Sequence, residues 1–241
     1  MSDVLYGLNP AFEAIRAGRR TLHRLLLNRS SEKQPRLRKL ADLAESRHVP
    51  IDWVEKGRLI DRCGSREHQG AVLEVGAYPY VALPELLTKP RLVLLDNLED
   101  PHNVGAIIRT AEVLGFDGVL LPTRGVPPIL PSVTKASAGA TEHMAISRES
   151  SANLYVREAQ EAGYFIVALD GGGTCGLSDP RLAAAEKLLL VCGGEDRGVR
   201  QFILNSADAV VRIPQRGRTG SLNASVAAGI ALHALVTAVD G

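Results

Sequence analysis

Three short stretches carry the polar residues whose types and spacing can do chemistry. The first is Asn103-x5-Arg109, the second is Gly193-Gly194-Glu195 with Gly198, and the third runs from Ile213-Pro214 through Arg216 and Arg218 to Ser221-Leu222-Asn223 with Ser225. A guanidinium stays protonated, so Arg109 is suited to holding an anion or stabilising developing negative charge and ill suited to acting as a base. Paired glycines let backbone approach a ligand closely. Ser221 and Asn223 each cap a helix or turn toward a bound group, and free N–H groups at a helix N-terminus attract a carboxylate or phosphate. The three cysteines, Cys63, Cys175 and Cys192, form an odd set without C-x-x-C spacing. That count argues against a disulfide framework and a zinc site. No metal is expected, and the chemistry offered is electrostatic.

Each stretch follows an apolar run, which says what must position it. From Arg91 onward such runs, at 92–95, 118–121, 144–146, 165–169, 188–192 and 209–213, alternate with helical segments. This alternation predicts an α/β domain, a parallel sheet with helices on both faces. With Asn103 as N-cap, the first helix sets Val104, Ile107, Ile108, Ala111 and Leu114 on one stripe and leaves Arg109 off it, near the carboxyl edge where open sheets bind ligands. The same spacing allows Arg109 to pair with Glu112 on the solvent side. Glu195 falls at the end of the 188–192 run, and Ser221 or Asn223 opens the last helix. Gly115 and Gly163 stand where helices stop, and Ser178 or Asp179 with Pro180 starts another.

Residues 1–75 read as a separate small α/β unit. Asn9 and Pro10 start a helix that Gly18 ends; strands are expected at 22–27, 49–54 and 71–75, with helices at 35–46 and 55–62. A linker at 76–90, with Pro79, Pro84 and Pro90, separates it from the larger domain at 91–241. The whole chain of 241 residues balances 28 basic against 27 acidic side chains. The first 75 hold 14 Lys and Arg against 10 Asp and Glu, and between residues 16 and 39 nine basic residues face only Glu32. Such a block binds phosphates electrostatically or forms a solvated basic face. Only ten aromatic residues are present, too few for an extended stacking platform on single-stranded RNA.

The weakly polar run from Ala224 to Val239 is too short to cross a membrane, for which ~20 apolar residues are needed. The N-terminus lacks the basic and apolar regions of a secretory signal, so a cytoplasmic protein is expected. Gly171 to Gly176 satisfies G-x-G-x-x-G after a strand, which raises a dinucleotide-binding oxidoreductase as a rival. That fingerprint opens a helix, whereas the helix start here lies at Ser178 to Pro180. Gly173 and Gly176 are therefore expected to serve backbone φ freedom. A non-catalytic RNA-binding protein is the second rival.

Taken in order, the three stretches resemble the motifs of the SpoU/TrmH family of RNA ribose 2′-O-methyltransferases. Tyr6-Gly7, the basic unit and His68-Gln69-Gly70 resemble the L30e-like RNA-binding domain of the 23S rRNA guanosine-2′-O group. The resemblance implies S-adenosylmethionine as methyl donor, a homodimer, a C-terminal trefoil knot, and RNA as partner, rRNA ahead of tRNA. It implies a catalytic set of Arg109, Asn103, Glu195, Ser221 and Asn223, with Arg109 central. It implies a cofactor pocket built from the backbone of Gly194, Ile213 and Leu222, flanked by Gly193 and Gly198. RNA contacts are then expected from Arg16, Arg19, Arg20 and Arg24, with Arg216 and Arg218 as departures from the small or apolar residues of close relatives.

Overall fold

Two sheets form, and the sequence gives them different characters. The computed structural model describes residues 3–195, 197–218 and 220–237, so the last residues of the apolar run ending at Val239 lie outside the described residues. In chain order the elements are β1 (Asp3–Tyr6), α1 (Leu8–Ala17), β2 (Leu22–Asn28), α2 (Pro35–Ser46), β3 (Ile51–Val54), α3 (Lys56–Cys63), β4 (Ala71–Val75), α4 (Leu83–Leu86), β5 (Arg91–Asp96), α5 (Pro101–Val113), β6 (Gly118–Leu120), α6 (Pro131–Ala136), β7 (Ala145–Ser147), α7 (Ala152–Glu161), β8 (Phe165–Leu169), α8 (Pro180–Ala184), β9 (Leu188–Gly193), α9 (Gln201–Ser206), β10 (Ala209–Val211) and α10 (Ala224–Thr237).

The first compact unit comprises residues 1–79 together with 129–143. Its sheet runs β1-β4-β2-β3, antiparallel except for the β2/β3 pair. Leu25, Leu27, Leu73 and Val75 pack with Ile15 of α1 and Leu37 and Leu40 of α2 on one face, while Leu26 and Val72 meet Leu59 of α3 on the other. The strand periodicity of two produces this division. Strand β1, absent from the sequence reading, pairs with β4 from Asp3↔Val75 to Tyr6↔Val72; four residues are too few for alternation to show. The His68-Gln69-Gly70 turn places Gln69 and Gly70 at φ 53 and 84. The His68 Nδ1 accepts from the Gly70 N–H at 3.0 Å, and the Gln69 Oε1 accepts from the Leu8 N–H at 3.2 Å. Helix α1 is thus capped from across the unit, with Gly7 rather than Asn9 as its N-cap residue.

Residues 129–143, read in the sequence as part of the larger domain, belong to this first unit through a buried ion pair. Arg20 donates to both carboxylate oxygens of Glu142 at 2.9 Å, and each side chain is 1% exposed. Tyr78 donates its hydroxyl to the Thr141 carbonyl at 2.8 Å, and the Arg20 guanidinium lies 4.8 Å from the Tyr78 ring centre.

The second unit comprises 80–128 and 144–241. Its six strands are all parallel in the order β10-β8-β9-β5-β6-β7. Leu92, Leu94, Leu189, Val191 and Ile166 face a core that includes Tyr155, Val156 and Ile203. The alternate residues Val93, Leu95, Leu190 and Val167 are equally buried. Burial on both faces is why these strands read as unbroken apolar runs. Strand order reverses between β9 and β5, the place where open parallel sheets hold ligands beyond their carboxyl ends.

Candidate functional site

Strand β5 ends at Asp96, which is 0% exposed. Burial raises its carboxyl above the ordinary range, opposed by the Arg200 N–H and guanidinium, which lie at 2.9 and 3.0 Å. This pair ties the chain leaving β5 to the chain leaving β9. Asn97 then takes a left-handed φ of 51, its Oδ1 accepting from Arg200 at 2.9 Å. The chain turns into α5 with Asp100 as N-cap, its side chain accepting from the His102 N–H at 2.9 Å. Asn103 was expected at that cap. It lies instead within the first turn, where its amide is free to reach sideways.

Those side chains meet at Glu195. Its Oε1 accepts from the Asn223 Nδ2 at 2.6 Å, the Asn103 Nδ2 at 3.2 Å and the Ala224 N–H at 3.2 Å. Asn223 donates its second amide hydrogen to the Asn103 Oδ1 at 3.0 Å. Its own Oδ1 accepts from the Ser225 hydroxyl and N–H and from the Val226 N–H, at 2.6, 3.0 and 3.2 Å. Asn223, not Ser221, is therefore the residue that caps α10. One residue from each of the three stretches joins a single clasp, and Glu195 places a negative charge at the positive end of α10.

The glycines earn their positions sterically. A Cβ on Gly194 would lie 2.0 Å from the Asn97 carbonyl oxygen, and one on Gly193 would lie 2.3 Å from the Gly198 carbonyl carbon. Backbone meets backbone there, and no side chain fits. Gly173 behaves alike, 2.7 Å from Val210 and Val211 backbone, whereas Gly176 meets nothing nearer than 3.8 Å. Neither Gly173 nor Gly176 has positive φ, so the expectation that φ freedom explains both is corrected: close approach explains Gly173, and Gly176 is unconstrained.

Around this clasp lie two hollows. One, of about 210 Å³, is walled by Leu169 and Asp170 at the end of β8, Cys192 to Glu195 at the end of β9, and Ile213, Ser221 and Leu222 before α10. The other, of about 270 Å³, is lined by Asn97 to Asp100, Asn103, Glu195 and Arg197. Complete burial pushes the Cys192 thiol up to about 12, which removes it as a nucleophile. Asp170 was not legible in the sequence as a wall residue, because an Asp between an apolar run and glycines carries the ordinary signal of a turn.

Arg109 is exposed, and among the described residues it has no ion-pair partner, Glu112 included. Ser221, Arg216 and Arg218 are also exposed. The basic block divides. Arg16 pairs with Glu13 at 2.6 Å and Arg24 with Asp52 at 3.1 Å, both at the surface. Arg19 donates to the Pro79 and Glu142 carbonyls. Arg20, expected among the RNA contacts, is buried against Glu142 and Asp3 and is not available to a ligand; it is structural. Lys33, Arg36 and Lys39 remain exposed on or beside α2.

Comparison with known proteins closes the identification. Residues 90–233 match the SpoU rRNA Methylase family, and residues 4–81 match the family of RNA 2′-O ribose methyltransferase substrate-binding domains. The chain belongs to the SpoU/TrmH family of RNA methyltransferases. It is 31% identical over 238 residues, 96% of this chain and 94% of the other, to a Bacillus subtilis protein named as a TrmH family tRNA/rRNA methyltransferase, YacO. The AdoMet-bound rRNA methyltransferase of Sinorhizobium meliloti superposes with a TM-score of 0.78 at 25% identity, covering 97% of this chain and 86% of that one. A structure described as giving insight into 2-OH methylation of C/U34 on tRNA superposes with a TM-score of 0.53 at 27% identity; it covers 60% of this chain and 93% of its own.

Proposed function

We propose that this protein transfers a methyl group from S-adenosylmethionine to a ribose 2′-hydroxyl of structured RNA. The observation that carries the reading is the clasp of Asn103, Glu195 and Asn223 beside a glycine-floored hollow, with Arg109, unpaired among the described residues, more than one and a half turns further along α5. The hollow suits the cofactor. Leu169, Ile213 and Leu222 give apolar walls, Gly193 and Gly194 leave bare backbone, and the described charged side chains are carboxylates facing a cationic ligand.

When bound, S-adenosylmethionine supplies an electrophilic methyl group on a sulfonium. The hollow walled by Leu169, Ile213 and Leu222 and by the bare backbone of Gly193 and Gly194 would hold it, and transfer of its methyl to the 2′-oxygen would leave the bonding pair on sulfur and the hydroxyl proton with bulk water. Arg109 holds the neighbouring phosphate and stabilises the charge developing on the 2′-oxygen, an electrostatic task that a permanently protonated group performs well. Both amide hydrogens of Asn223 are spent on Asn103 and Glu195, so Asn223, Asn103 and Glu195 act by positioning. The exposed Ser221 hydroxyl is left to face the ribose.

Further parts of the reading rest on the same footing. Residues 1–75 with the segment 129–143 form an L30e-like RNA-docking unit, and the rest of 91–241 the catalytic domain. Gly173, Gly193 and Gly194, where an added Cβ would lie under 3 Å from the backbone of another segment, support a trefoil knot at this edge of the sheet. Val226 and Ile230, four residues apart on one face of α10 and 50% and 41% exposed, support a homodimer, since exposed apolar side chains grouped on one helical face mark an interface. The substrate is rRNA, with a 23S guanosine first among candidates, ahead of tRNA. Its support is coverage: the rRNA methyltransferase covers 97% of this chain, the tRNA-related structure 60%. The test is incubation of purified protein with S-adenosylmethionine and RNA from cells lacking it, followed by nucleoside mass spectrometry. A gain in 2′-O-methylnucleosides in rRNA is expected; methylation of bases alone, or none, overturns the proposal.

A further inference from the structure

Asp170 stands in the wall of the 210 Å³ hollow and has no place in the reaction scheme above. Its Oδ1 accepts from the Gly172 N–H at 2.8 Å, and among the described residues its Oδ2 has no donor. That oxygen lies over Gly198, 3.4 Å from where a Cβ would stand, so Gly198 brings no side chain against it. Among the described residues lining the hollow the only other charged one is Glu195, and none is Lys, Arg or His. Glu195 differs in kind. Its Oε1 takes three donors at the start of α10, and the positive end of that helix offsets its charge. Asp170 follows a strand, has one donor in total, and so leaves an uncompensated negative charge in the hollow.

We infer that Asp170 is the residue that makes the cofactor pocket prefer a sulfonium to the thioether formed from it. This rests on the proposed cofactor reading. S-adenosylmethionine carries one positive charge more than S-adenosylhomocysteine and otherwise offers the same adenine, ribose, amine and carboxylate. A carboxylate within several ångströms, partly shielded from water, separates two such ligands by charge alone. The preference favours the methyl donor at entry and weakens the hold on the product once its charge is gone. Asp170 is thus a specificity-determining residue rather than a catalytic one.

The substitution Asp170→Asn tests this cleanly, because the amide oxygen still accepts from Gly172 and only the charge is lost. Titration calorimetry on the full chain, with both ligands, is the measurement. Asp170→Asn is expected to weaken S-adenosylmethionine about tenfold, ~1.4 kcal/mol, while S-adenosylhomocysteine changes by less than about twofold; Asp170→Glu, retaining the charge, is expected to restore most of the difference. Equal weakening of both ligands would assign Asp170 to a group they share, and unchanged affinities would assign it to the turn alone; either overturns the inference. If the unsubstituted protein binds neither ligand, the cofactor reading itself fails and this inference with it.

Discussion

Glu195 joins three stretches of sequence through one oxygen, so removing its side chain strands two amide groups and a helix N–H together. Glu195→Ala is expected to cost about 1–2 kcal/mol in urea unfolding, a charged hydrogen-bond network reduced for its solvent exposure. Glu195→Gln, which keeps an acceptor at the same place, should retain most of that stability. A loss under ~0.5 kcal/mol in the alanine variant would mean that the clasp does not hold α10. The residue types of this clasp were legible in the sequence, but their arrangement was not. Asn103 was read as a cap, because an Asn before an apolar stripe is a strong start signal. Asp100 outcompetes it with Pro101 at the first helical position, and the displaced amide becomes available for Glu195.

At the scale of elements, the glycines decide which loops can cross. Gly194→Ala puts a methyl on the Asn97 carbonyl, and Gly173→Ala puts one on the backbone after β10. Each is expected to cost at least ~3 kcal/mol or to abolish folding. Gly176→Ala, whose added Cβ would meet only Ser178 at an ordinary contact distance of 3.8 Å, should stay within ~0.5 kcal/mol of the parent by thermal or chemical unfolding. Comparable losses at Gly173 and Gly176 would contradict the steric account. The six parallel strands were legible because burial on both faces leaves uninterrupted apolar runs. Strand β1 and the capping of α1 by Gln69 within the first unit were not, since the first is too short for periodicity and the second depends on a residue far along the chain.

Across the molecule, charge read along the chain misleads because acids arrive from elsewhere in the fold. The block from Arg16 to Lys39 faces one acid in sequence, yet Glu13, Asp52, Asp3 and Glu142 all lie outside that window and pair with it. On the proposed function, RNA docking on the first unit would fall to Lys33, Arg36 and Lys39, which are exposed. Replacing these three with Gln is expected to flatten the slope of log RNA affinity against log salt by about two, at roughly 0.7–0.9 per phosphate contact. An unchanged slope would pass docking to Arg216 and Arg218. The first unit should also respond to acid. Burial, with Lys56 and Lys135, lowers the His68 pKa below the ordinary 6.5. The unfolded chain then binds the proton more readily, so stability is full above about pH 6.5 and falls as pH drops toward the depressed value. His68→Gln should flatten the pH dependence of unfolding in that window, and an undiminished dependence would place the titrating group elsewhere.

The central claim, that Arg109 acts on the reacting oxygen electrostatically and not as part of the scaffold, is tested most directly by Arg109→Lys. The side chain is exposed and unpaired among the described residues, so melting temperature and S-adenosylmethionine affinity should match the parent. Single-turnover methyl transfer to RNA should fall by about a hundredfold, because a point charge does not reproduce the planar two-point hold of a guanidinium. Transfer within a few fold of the parent, with the fold intact, would contradict the account.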